Sequence, residues 1–185
     1  MRHEKAQRRL VLVWVASALT VLAIVSPIVI APLAAESHLS ASIYRAFGAL
    51  CHQLPERSYF IDGHKLAVCS RCTGLYAGFA FAILLYPLLR PLRTIDWPPR
   101  EWLILSAVPM AIDVGLDVFG IWENTHTSRL LTGVLLGSVS VFYVMPGLAE
   151  LSTRKTRTPR TAFTLTSPEP VASAPSDYSA PERRI

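Results

Sequence analysis

The chain has 185 residues, 51% of them hydrophobic, a formal net charge of +5 and a mean hydropathy of +0.37. That is the size of one domain with more apolar character than a water-soluble domain carries, so a bilayer is the expected solvent. The positive charge does not point to nucleic acid, because the basic residues flank apolar runs instead of lining one face. Nor does the sequence hold a phosphate-binding glycine loop, a Ser-His-Asp order or an H-E-x-x-H helix.

A membrane span takes about 20 mostly apolar residues. Four segments come close, at about 10–34, 67–89, 101–120 and 130–148, so residues 1–151 are expected to form an all-α polytopic bundle of about four transmembrane helices. The first follows a basic stretch with Arg2, Lys5, Arg8 and Arg9. Its apolar run exceeds the roughly 7 to 15 residues of a secretory signal core, so an uncleaved anchor is expected, bent or ended by Pro27 and Pro32. Between the first two spans, Leu39, Ile43, Ala46, Phe47 and Leu50 recur at near-helical spacing, which predicts an amphipathic helix over 37–50 lying in the membrane interface. The second span starts near Thr73, or near Leu66 if Cys69 and Cys72 sit on its first turns.

Lys and Arg favour cytoplasmic loops. They cluster before the first span, between the second and third (Arg90, Arg93, Arg100) and after the fourth (Arg154, Lys155, Arg157, Arg160). Both termini are therefore expected in the cytoplasm, with the protein in the plasma membrane and its Cys/His-containing loop outside. The stretch 152–185, rich in Pro, Ser, Thr and Ala, reads as a disordered cytoplasmic tail. Small residues recur four apart at Gly74 and Gly78, at Ala107, Ala111 and Gly115, and at Gly133 and Gly137. Such faces allow close helix approach inside lipid, and equally could join two copies in a homo-oligomer.

The densest polar segment lies between the first two spans. Cys51, His64, Cys69 and Cys72 follow the pattern C-x12-H-x4-C-x2-C, a Cys3His set of the kind that holds tetrahedral Zn²⁺. His52 is the alternative ligand, or the group that orients one. The same C-x-x-C near a helix start, with Arg71 between the cysteines, also fits a thiol-disulfide exchange pair. Buried, inert cysteines are the bland alternative. Covalent haem is disfavoured, since Thr73 stands where that motif needs His.

The third span carries Asp113 and Asp117 on one face, the former about 10 Å from the outer helix end. Carboxylates at such depth face the bundle interior, a wet cavity or a partner. Arg129, across a short loop, is the expected partner of Asp117, with a plain interfacial anchor as the alternative. Asp113, Asp117 and Arg129 are therefore the candidate catalytic residues, with either aspartate as a general base toward a metal-bound water. As proton or cation sites, the two aspartates would instead make the protein a small carrier.

The run Cys51-His52-Gln53, Pro55, Arg57-Ser58-Tyr59-Phe60, then Gly63-His64, then Val68-Cys69-Ser70-Arg71-Cys72-Thr73-Gly74-Leu75-Tyr76-Ala77-Gly78, resembles a family of predicted prokaryotic membrane proteins catalogued as domain of unknown function 2085. Asp113, Asp117, Arg129, Thr132 and Gly133 also match its general pattern, and the similarity covers roughly 47–146. The resemblance implies membrane location and shared key residues, and it implies no activity.

Overall fold

A computed structural model describes residues 2–94 and 96–153, all within one compact unit, Met1–Lys155. The expected tail, apart from the last residues of the final helix, lies outside the described residues. Five helices follow in order: α1 Arg2–Leu33, α2 His38–Gly48, α3 Ser70–Leu89, α4 Arg100–Val118 and α5 His126–Thr153. Between α2 and α3 come a 3-10 turn, Pro55–Arg57, and a hairpin of β1 Phe60–Ile61 and β2 His64–Lys65. The fold is thus the expected all-α membrane bundle, with one short hairpin that helical periodicity does not foreshadow.

Among the described residues, three helices are long and apolar enough to cross a bilayer, Gln7–Leu33, Ser70–Leu89 and His126–Ser152. The fourth expected span is present as α4, yet Arg100, Glu101, Asp113 and Asp117 make it too charged to qualify on composition. It nevertheless runs beside the others. Tyr143 of α5 donates to the Pro99 carbonyl at the start of α4, while Arg129 at the start of α5 meets Asp117 near the end of α4. Large apolar side chains point outward along these helices, among them Leu12, Leu19, Leu84, Leu105 and Leu131. Such a surface suits lipid rather than water.

The long helices alternate in direction along the chain, so that α3 and α5, which pack together, run parallel. In α1, Trp14 donates its indole N–H to the Ile83 carbonyl at 2.7 Å, while Tyr76 and Phe79 of α3 share a cavity wall with Val21, Ile24 and Val25. Pro27 and Pro32 both lie inside α1, which stops one residue after Pro32. At that end Ser40 of α2 donates to the Ala31 carbonyl at 2.7 Å, folding the amphipathic helix back against α1. Ser37 caps α2 by accepting from the Ser40 N–H at 3.1 Å. The amino end of α1 and the carboxyl end of α5 lie at the same end of the bundle: Gln7 accepts from Arg93 after α3, and Gly147 sits against Trp97 before α4.

The backbones of α3 and α5 approach each other closely. A Cβ added at Gly74, Gly78, Gly133 or Gly137 would run into the backbone carbonyl of Leu130, Val134, Arg71 or Leu75. These two glycine pairs are therefore used against each other within one chain, whereas a Cβ at Gly115 would meet nothing within 4 Å. Gly133→Ala should lower the thermal midpoint of the detergent-solubilised protein, at an overpacking cost of about 1–3 kcal/mol. Gly115→Ala should be neutral or stabilising by up to about 1 kcal/mol. Equal melting of the two variants, followed by near-ultraviolet circular dichroism, would contradict the helix pairing.

Candidate metal centre

The three cysteines reach one point from three local structures. Cys51 lies just beyond α2, where its N–H bonds to the Phe47 carbonyl at 2.9 Å. It is buried in a small apolar core with Ile28, Ala31, Phe47 and the 66–68 segment that returns from the hairpin. Cys69 is the N-cap residue of α3, and Cys72 lies in the first helical turn. A two-residue spacing across a helix start presents both sulfurs to the same side. The ligand atoms of Cys51, Cys69 and Cys72 all lie within 4.8 Å of one another, and none of the three is disulfide-bonded.

Hydrogen-bond donors support negative charge on Cys69, while the hydrogen bond to Cys69, burial and the neighbouring sulfurs push the Cys72 thiol up. The Cys69 N–H donates to the Cys51 sulfur at 3.2 Å. The Cys72 side chain hydrogen-bonds the Cys69 sulfur and lowers its pKa to about 5, against the opposing effect of burial. Backbone hydrogen bonds from Cys72 and Arg71 and the Cys51 thiol act in the same lowering direction. A helix amino end carries partial positive charge, which also favours thiolate.

Beside the sulfurs, three arginines meet two aspartates. Arg71 pairs with Asp113, Nη2 to Oδ2, at 2.5 Å. Asp117 takes two guanidinium groups, Arg129 on Oδ1 at 3.2 Å and Arg57 on Oδ2 at 3.3 Å. Asn124 also donates its side-chain N–H to the Asp113 backbone carbonyl. Ser70 donates to the Arg57 carbonyl at 3.0 Å, which fixes the 3-10 turn to the start of α3. The pairs join α3, α4, α5 and the loop before the hairpin, so four separate stretches converge. A cavity of about 250 Å³ lies against this cluster, with Cys51, His52, Arg57, Cys69, Arg71 and Arg129 on its wall.

Of the residues expected at the site, Cys51, Cys69 and Cys72 come together, and Asp113, Asp117 and Arg129 lie beside them. His52 is exposed but faces the same cavity as Cys51 and Cys69. His64 is not brought to the cysteines. The hairpin turns over Asp62 and Gly63, both at positive φ (49° and 79°), and places His64 at the exposed tip beside Glu36, Ser37 and Asp62. A two-residue Asp-Gly loop is a hairpin signal, and it accounts for the displacement. Helical and metal-spacing reasoning missed Arg57 and Arg71 as partners of the aspartates. Their positions in the sequence carry no local sign of that pairing.

Lipid-facing helices with a tri-cysteine cap over buried Asp–Arg pairs define a polytopic membrane protein. Residues 51–143, half of the chain, match the family described as Predicted membrane protein (DUF2085), and the chain belongs to that family. The matched region begins at Cys51 and contains the whole of the cluster. The chain is 37% identical over 117 residues to an uncharacterised protein of Methanocaldococcus jannaschii, covering 63% of this chain and 75% of that one. A second relative, an uncharacterised protein of Methanothermobacter thermautotrophicus, is 37% identical over 91 residues, covering 49% of this chain and 80% of its own length. No solved structure matches.

The lowered Cys69 pKa has a direct readout in the reduced, chelator-treated protein. Alkylation of Cys69 by iodoacetamide should rise through pH about 5 and level off before neutrality. An ordinary thiol gains reactivity only on approaching about 8.5. Peptide mass spectrometry after short pulses across this range checks it, and a Cys69 profile still rising at pH 8 would refute the assignment.

Proposed function

We propose that the three cysteines form a metal centre of zinc type, held on the outer face of a plasma-membrane protein. The convergence of three sulfurs within 4.8 Å carries this reading. Tetrahedral zinc with Zn–S bonds of about 2.3 Å needs sulfurs about 3.8 Å apart, so only a small contraction is required. The donor chemistry also fits, since one backbone N–H already donates to the Cys51 sulfur. Three thiolates leave a fourth position, which His52 or a ligand from the adjoining cavity would fill. A zinc ion there would supply either a structural clamp or Lewis acidity, according to which of these fills it.

The candidate catalytic residues take a different part from proton abstraction. Asp113 and Asp117 already accept from guanidinium groups, so we assign them to holding Arg71, Arg57 and Arg129 in place. In a carrier these carboxylates would bind the transported cation, and a guanidinium now stands in that position. The outer location rests on charge. Lys5, Arg8, Arg9, Arg90, Arg93 and Arg100 lie toward the end of the bundle that holds both described helix termini. At the opposite end Arg57, Arg71 and Arg129 are paired with two aspartates, which weakens their pull toward the cytoplasm.

A second reading has its own support. A thiolate at Cys69 beside two further thiols is suited to thiol-disulfide exchange, in which Cys69 attacks a partner disulfide and Cys72 or Cys51 resolves the mixed disulfide. Elemental analysis of protein purified in detergent without chelator decides between them. About one zinc per chain is expected, lost in Cys51→Ser and kept in His64→Ala. His52→Ala should weaken retention against a chelator if His52 is the fourth ligand. Metal-free protein whose cysteines cycle between thiol and disulfide in intact cells would favour exchange instead. Labelling of the stripped cysteines by a membrane-impermeant maleimide on intact cells is expected for an outer location, and protection until lysis would reverse the orientation.

A further inference from the structure

The arginines are not fully used by the aspartates. Two buried side-chain nitrogens, Nε of Arg71 and Nε of Arg129, have no hydrogen-bond partner. The Arg129 side chain is only 7% exposed, yet both it and Arg71 line the cavity of about 250 Å³. Buried donors left without acceptors are costly, the more so on charged groups. Two such arginines lining one cavity make a site shaped for an acceptor that enters from outside.

Three features give the acceptor its chemistry. Arg57, Arg71 and Arg129 all face the cavity while only two carboxylates answer them, so the cluster holds one positive charge in excess. Guanidinium forks match oxyanions with several oxygens in one plane or tetrahedron. The cavity also adjoins the amino end of α3, a 20-residue helix. That end adds the positive pole of the helix dipole to the guanidinium charge. From these observations we infer that the cavity is a binding site for a phosphate-type oxyanion, gripped by Arg57, Arg71 and Arg129.

The anion is either free phosphate or the headgroup of a phosphate-bearing lipid, since the cavity lies where helices of the bundle meet the cap. The inference stands apart from the metal reading, because the arginines make the site and the cysteines only share its wall.

The full chain in nanodiscs of phosphatidylcholine is titrated with inorganic phosphate, by calorimetry and by ³¹P resonance. In a second arm the nanodiscs contain phosphatidate. Saturable binding of phosphate, weakened about tenfold or more by Arg129→Gln and Arg57→Gln and unchanged by Arg45→Gln, supports a free anion. A bound phosphatidate resonance lost in the same two variants supports the lipid source. Arg57 is the more exposed of the two, so Arg57→Gln decides the matter if Arg129→Gln fails to fold. No saturable binding in either arm, or equal loss in Arg45→Gln, overturns the inference. Zinc content is measured alongside. Absent phosphate binding with zinc retained sinks this inference alone, while phosphate binding by a protein that never takes up zinc sinks the metal reading alone.

Discussion

Everything near the cap depends on how Asp113 and Asp117 keep their charges out of lipid. An ionised carboxylate on a helix within the bilayer is tolerated only where counter-charges and donors surround it. Here the counter-charges come from three other places: Arg57 in the loop, Arg71 at the start of α3 and Arg129 at the start of α5. The ion pairs therefore act as fasteners. They hold α4, the helix least able to enter a membrane on composition, against the α3–α5 pair, and they anchor the loop that carries Cys51.

The glycine seam makes this arrangement possible. Because α3 and α5 touch along Gly74, Gly78, Gly133 and Gly137, their starts lie close together, and Arg71 and Arg129 project from neighbouring turns toward one helix. A wider separation would let only one of them reach α4. The cysteines inherit the same precision, since Cys69 and Cys72 belong to the first turn of the helix that Arg71 fixes. Tyr76, one turn further, packs edge-on to Phe47 with ring centroids 6.2 Å apart, tying α2 and Cys51 to that same helix. Helix packing, charge pairing and sulfur convergence are three consequences of one geometry.

This geometry explains what the sequence reveals and what it conceals. Apolar runs and the amphipathic spacing of Leu39, Ile43 and Phe47 are local signals, so the spans and α2 are legible within a few residues. Asp117 and Arg129 are separated by a short loop, which brings them near each other almost regardless of tertiary detail. Arg71 and Asp113 lie 42 residues apart, and nothing local links them. The small-residue faces are equally visible, but which face meets which is a property of the assembled bundle. His64 is a different case: ligand spacing alone puts it with the cysteines, while the Asp62-Gly63 turn carries it away from them. Turn geometry controls where a residue at the tip of a two-residue hairpin points, and a count of intervening residues does not.

The two halves of the site also belong together electrostatically. A divalent cation on three thiolates carries one net negative charge, and three guanidinium groups against two carboxylates carry one net positive charge. The loaded metal centre and the arginine cluster would thus neutralise each other across a shared cavity wall in a poorly hydrated region. Without the cation, three thiolates could not persist side by side, and protons would have to be shared among them, which is the pattern of one acidic thiol supported by its neighbours that Cys69 displays. An anion entering the cavity meets both halves. Its grip on a neutralised site rests on the directional N–H groups of Arg71 and Arg129 more than on net charge. Binding free energies are reciprocal, so whatever occupies the sulfurs alters the affinity for whatever occupies the arginines, by the same factor in each direction.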